Sequence, residues 1–66
     1  DAVSYPELMI YNEDFTRKNM AHCYYVIGLG NLGLGNMEKA REAFEKTLSL
    51  DRSHNNCRLL LNGMDR

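Results

Sequence analysis

Sixty-six residues allow one small domain or a piece of a larger one, and a chain this short buries only about 60% of its unfolded surface. Hydrophobic residues make up 44% and charged residues 26%, the composition of a folded chain rather than a disordered one. Eight basic against nine acidic residues leave a net charge of -1, which argues against a nucleic-acid module with its basic stripe. No apolar run approaches the roughly 18 residues of a membrane-spanning helix. The chain opens on Asp1 rather than methionine and reads as a fragment of a longer protein, so the lack of a signal-like segment leaves its localisation unknown.

The first fifteen residues form an N-terminal arm or a short helix. Pro6 fits a first helical turn carrying Leu8, Met9, Ile10 and Tyr11, but four consecutive apolar residues fit an extended segment as well. Asn12, Glu13 and Asp14 make a polar break, after which Asp14 or Thr16 is a candidate N-cap. From Thr16 to Leu34 the chain is apolar on nearly every side, so a helix here must be covered on two faces. Gly33, Gly35 and Asn36 mark a turn, with Asn36 placed to cap the next helix.

Met37, Ala40, Phe44 and Leu48 then recur at spacings of three, four and four, with charged residues opposite, predicting an amphipathic helix from Met37 to Leu50. Glu42 and Lys46 form a favourable i,i+4 pair on its polar side. Asp51, Arg52 and Ser53 break the pattern, and Ser53 is the expected cap of a third helix. That helix shows Cys57, Leu60, Leu61 and Met64 on one face and Gly63 near its end.

Cys23 and Cys57 are too few for a disulfide framework, and each reads as a buried reduced thiol. His22 and His54 bring the potential metal ligands to four. Neighbours on a helix diverge by about 100°, however, and no CxxC or HxxxH pair occurs, so no metal is expected. Glu42 and Glu45 read as solvated, and Tyr24 and Tyr25 as packing residues with polar tips. No catalytic residue and no cofactor are expected, and the chain is not expected to be an enzyme.

The stretch Gly28-Leu29-Gly30-Asn31-Leu32-Gly33 is a complete G-x-G-x-x-G after the apolar run Tyr24–Ile27, with Asp51 placed 18 residues beyond Gly33. In a dinucleotide-binding βαβ fragment these glycines would admit a pyrophosphate and Asp51 would hold the ribose. Against this, the period of Ala40, Phe44 and Leu48 runs through the boundary that a second strand requires. A second turn, Gly35-Asn36, also falls where the dinucleotide helix would already have begun. This remains the alternative reading.

The same residues resemble the tetratricopeptide repeat, a helix–turn–helix unit of about 34 residues. Tyr24, Ile27 and Gly28 fall on its aromatic, aliphatic and small positions, Gly35 on its inter-helix turn, and Ala40, Phe44 and Leu48 on its second helix. Asn31, Thr47 and Arg52 depart from an aromatic residue, an alanine and a proline. The resemblance covers Ala21 to His54, and a shift of 34 residues carries Cys23 onto Cys57 and Ile27 onto Leu61.

The resemblance implies an all-α fold with an N-terminal arm or short helix over residues 1–15. A TPR-like helical hairpin would follow over 16–54, with a capping helix or the start of a next repeat over 55–66. It also implies a non-catalytic protein–protein interaction or scaffolding module within a larger protein, its first helix lining a concave surface through His22, Tyr25, Leu29 and Leu32. The lysine and asparagine of a carboxylate clamp are missing there. The partner expected is a protein or peptide, self-association included, because stacked repeats need about three units for stability. The opposing possibility is that these four residues are core, covered by residues 1–15.

Overall fold

The computed structural model describes residues 13–65, and the expectations for residues 1–12 fall outside them. The fold is all-α: α1 (Glu13–Leu34), α2 (Met37–Leu50) and α3 (Asn55–Met64). The first two form a helical hairpin and the third packs on α2.

Helix α1 starts earlier than its apolar pattern suggests, so Asp14 and Thr16 lie inside it instead of capping it. Glu13 and Asp14 occupy its first turn, where negative charge meets the positive end of the helix dipole. It runs unbroken through Gly28, Gly30 and Gly33 to Leu34, although each interior glycine costs up to about 1 kcal/mol. It stops at Gly35, whose φ of 84° is open to glycine but strained for other residues. The Gly35 amide donates to Leu32 O at 3.1 Å and the Asn36 amide to Asn31 O at 2.8 Å, a Schellman closure.

That closure usually carries an apolar contact between the residues here numbered 31 and 36. In this chain the Asn36 side-chain amide donates to Asn31 Oδ1 at 3.3 Å, while Asn31 Nδ2 donates to Ile27 O at 2.9 Å. Asn31, a departure from the repeat pattern, thus supports the turn through polar contacts. Asn36 occupies the N-cap position of α2, but its side chain makes no cap hydrogen bond.

The two-residue connection returns α2 along α1. The seam between them is built from small residues: Ala21 and Gly28 on α1, and Ala40, Ala43 and Thr47 on α2, all buried. Small side chains let helix axes approach, and the closest point is tight. A Cβ on Gly28 would stand 2.4 Å from Phe44 Cε1 and 2.6 Å from Cδ1. Thr47, a departure from the alanine of the repeat pattern, has its hydroxyl 3.0 Å from Ala43 O and 3.3 Å from Ala21 O across the seam.

Asp51 ends α2, its amide donating to Thr47 O at 2.8 Å, and His54 N donates back to Asp51 O at 3.2 Å. Asp51 Oδ1 accepts from the Ser53 amide at 3.1 Å and the Ser53 hydroxyl at 2.7 Å, an Asx turn. The Ser53 hydroxyl foremost, then the Ser53 amide, Lys18 and His54, hold the Asp51 carboxyl below its ordinary 3.8 against partial dehydration. With Ser53 so engaged, the cap of α3 passes to the next residue: His54 Nδ1 accepts from Cys57 N at 3.2 Å.

Helix α3 turns Cys57 and Leu61 into a cluster with Ala40 and Phe44, flanked by Tyr25, Leu32, Leu48, Leu60 and Met64. The Cys57 thiol donates to Phe44 O at 3.1 Å, and burial pushes its pKa up. Gly63 does not terminate α3. It lies inside the helix, which closes at Asp65, the Asp65 amide donating to Leu61 O at 3.1 Å. Arg41 ties the two helices by pairing with the Asp65 carboxylate. Among the described residues, no buried side-chain nitrogen or oxygen lacks a hydrogen bond.

Candidate functional site

Among the described residues, three helices in a row leave the α1–α2 hairpin one covered side and one uncovered side. On the covered side Tyr25 reaches from α1 toward both neighbours, its ring centroid 5.9 Å from Phe44 and 4.4 Å from His54. Leu32 and Leu48 pack on the same cluster. Successive residues on a helix point about 100° apart, so Tyr24 faces away from Tyr25 and toward the uncovered side. There Lys46 Nζ stands 5.9 Å from the Tyr24 ring centroid.

The uncovered side is a shallow groove along the α1–α2 seam. Tyr24, Ile27 and Ala43 form its apolar floor, with Asn31, Lys39, Glu42 and Lys46 around it. It continues along α1 past Met20 and Cys23 toward Phe15. Large apolar side chains stand exposed around this helix, Met20 at 45%, Ile27 at 51% and Leu34 at 78%, with Val26 and Leu29 exposed on other faces.

The four residues expected to line a concave surface divide between these environments. His22 is exposed and Leu29 is 39% exposed, whereas Tyr25 and Leu32 are half-buried against α2 and α3. The repeat-signature positions Tyr24, Ile27, Gly28, Gly35, Ala40, Phe44 and Leu48 all lie on the hairpin. Gly28, Ala40 and Phe44 meet in its interior, Leu48 flanks them, and Gly35 makes the turn. Tyr24 and Ile27 lie at its uncovered edge. Cys57 is buried as expected, but Cys23 is exposed, a correction to the reading of both thiols as core. The cause is helical phase: Cys23 stands two residues beyond buried Ala21, about 200° around the helix.

The dinucleotide alternative does not match the backbone. Tyr24–Ile27, where it requires a strand, is helix, and all three motif glycines lie within α1. Their amides belong to the helical ladder instead of forming a phosphate-binding turn. Asp51 accepts hydrogen bonds from Ser53 at the end of α2. Among the described residues, no group of three or more His, Cys, Asp or Glu is placed to hold a metal ion. No described helix is long and apolar enough to cross a membrane.

The outer strip on Met20, Cys23, Ile27 and Leu34 was not singled out by sequence reasoning. Its signal was present: α1 is apolar on nearly every side, so a single seam with α2 could not take up all of its apolar residues. In comparisons with known proteins, no family model, no curated protein and no solved structure matches this chain.

Proposed function

We propose that this chain is a non-catalytic protein–protein association module, a tetratricopeptide-like helical hairpin with a following helix, belonging to a larger protein. The observation that carries the reading is the apolar strip on α1, with Ile27 at 51% and Leu34 at 78% exposure beside a seam closed to the limit of van der Waals contact. A helix needs only one apolar face to hold a hairpin together, and the other face here has no partner among the described helices. The repeat resemblance gains support from Gly28 packed on Phe44 and from Gly35 at positive φ in the turn.

Cys23 lies in the groove and Cys57 in the core, so the chain carries its own reporter. At high dilution, maleimide alkylation should modify Cys23 at the rate of a free thiol while Cys57 stays protected. Protection of both thiols in the diluted monomer would mean that the strip is covered within the chain and would refute the reading.

A further inference from the structure

We propose that His54 is a pH-sensitive latch on α3: the neutral ring caps the helix, and protonation releases its first turn and opens Cys57 to solvent. The inference goes beyond the association reading and stands without it. Two separate contacts place the ring. Its Nδ1 accepts from Cys57 N at 3.2 Å, and its centroid lies 4.4 Å from that of Tyr25 on α1. Helix α1 thus steadies the side chain that caps α3.

The chemistry of imidazole makes this cap conditional. The oxygen of a serine or asparagine cap accepts at any pH near neutrality, whereas a ring nitrogen accepts only while it carries no proton. Acceptance at Nδ1 leaves the neutral ring its single proton on Nε2. A second proton would make Nδ1 a donor facing the Cys57 N–H, and would set a positive charge where the helix dipole is already positive. The neighbouring acceptor, Asp51 Oδ1, is engaged by the Ser53 amide and hydroxyl, and the first turn of α3 brings no acid. Cys57 is the third residue of that turn, fully buried with its thiol donating to Phe44 O at 3.1 Å. Fraying of the turn therefore draws this thiol out of the core.

The charges around His54 leave its ring as the switching group. Asp51 favours the protonated ring, but it stands three residues away along the chain and remains near when α3 opens, so its pull differs little between the two states. Its carboxyl, held below the ordinary 3.8 by Ser53 foremost, stays ionised throughout the histidine range. Lys18 on α1, which acts on Asp51, and Arg52 and Arg58 beside the cap oppose a further positive charge. Burial raises the Cys57 thiol, and residues 47–50, the last turn of α2, carry no charge. His22, the other histidine of the chain, falls on the face of α1 shared by Lys18 and Tyr25. The closed form holds a neutral ring and the open form takes up a proton, so acid favours opening. The effect is absent well above about pH 6.5, where histidine ordinarily gains its proton, and grows as pH falls through that value.

Alkylation of Cys57 by N-ethylmaleimide in the full chain tests the proposal, each rate divided by that of the urea-unfolded chain at the same pH to cancel the change in thiolate fraction. Protection of Cys57 should fall at least about threefold from about pH 7.5 to about pH 5.5, while hydrogen exchange within α2, corrected for pH, stays constant. His54→Asn offers a cap oxygen that does not titrate and should protect Cys57 equally at both pH values. His22→Gln should keep the dependence of the unaltered chain. Nitrogen-15 shifts of His54 at the upper pH should show Nε2 protonated and Nδ1 bare. Protection that does not change with pH overturns the proposal, as does a loss that persists in His54→Asn or disappears in His22→Gln. The opposite tautomer at His54 overturns it without any variant.

Discussion

Replacing Gly28 with alanine sets two opposed terms against each other, and the hairpin decides the sign. Taken alone, alanine in a helix interior is better than glycine by about 0.8–1 kcal/mol. The added methyl, however, would stand 2.4 Å from Phe44 Cε1, 2.6 Å from Cδ1 and 3.0 Å from Cζ, where carbon atoms prefer about 3.5–4.0 Å. The ring must therefore retreat by about 1 Å. Phe44 is fully buried, with Tyr25 against it at 5.9 Å and the Cys57 thiol bonded to its carbonyl, so the helices must separate to let it move. Overpacking of this kind costs about 1–3 kcal/mol. The net expectation is a loss of up to about 2 kcal/mol, a fall in Tm of up to roughly 15 °C for a domain of this size.

Urea and thermal unfolding followed by far-UV circular dichroism measure it, with Gly33→Ala and Gly63→Ala as controls. Nothing lies within 4 Å of a Cβ at either control position, so each should gain about 0.5–1 kcal/mol from helix propensity alone. Combining Gly28→Ala with Phe44→Leu should recover part of the loss through a non-additive cycle. If Gly28→Ala stabilises as much as the controls do, Phe44 does not pack on Gly28 and the close approach of α1 and α2 is wrong.

Three further substitutions probe the supports around that seam. Thr47→Val keeps the buried volume but removes the hydroxyl that reaches Ala21 O and Ala43 O, and should cost about 1 kcal/mol in urea unfolding. His54→Ala removes the cap on Cys57 N and should cost about 1 kcal/mol. That loss should appear in hydrogen exchange as weaker protection of α3 with α1 and α2 little changed, and His54→Asp should restore part of it. Asp51 has its folded-state pKa held below the ordinary 3.8. Its contribution is therefore present above that value and lost as pH falls through it toward the lower folded one. Ser53→Ala removes the largest cause, so the decline of stability across the window from about pH 5 to pH 3 should become shallower.

Much of the hairpin was legible because its signals were local. The 3–4–4 spacing of Met37, Ala40, Phe44 and Leu48 placed α2 at the bounds observed, and Gly35 marked the turn. The caps were harder to read, because a cap is decided by competition among neighbouring polar groups. Ser53 is a good cap by residue type, but Asp51 takes its hydroxyl and amide first, and the ring nitrogen of His54 is left to serve α3. Asn36 was assigned to the correct position for the wrong reason, since its side chain turns back to Asn31. Cys23 and Cys57 share a residue type and a 34-residue offset, yet one is exposed and the other buried. An offset in sequence does not by itself fix the environment in which a side chain ends.

The face of α1 that meets α2 presents the deeper difficulty, because hydropathy alone does not select it. Ile27, Leu29, Leu32 and Leu34 are similarly apolar, yet Leu32 is drawn into the core cluster while Leu34 is 78% exposed. Residue size supplies the missing choice. Ala21 and Gly28 lie one heptad apart on α1, and Ala40, Ala43 and Thr47 form the corresponding line of small residues on α2. Two helices approach closely only where both surfaces are low, so these lines fix the seam, and the bulky apolar residues on the far side of α1 are left facing outward.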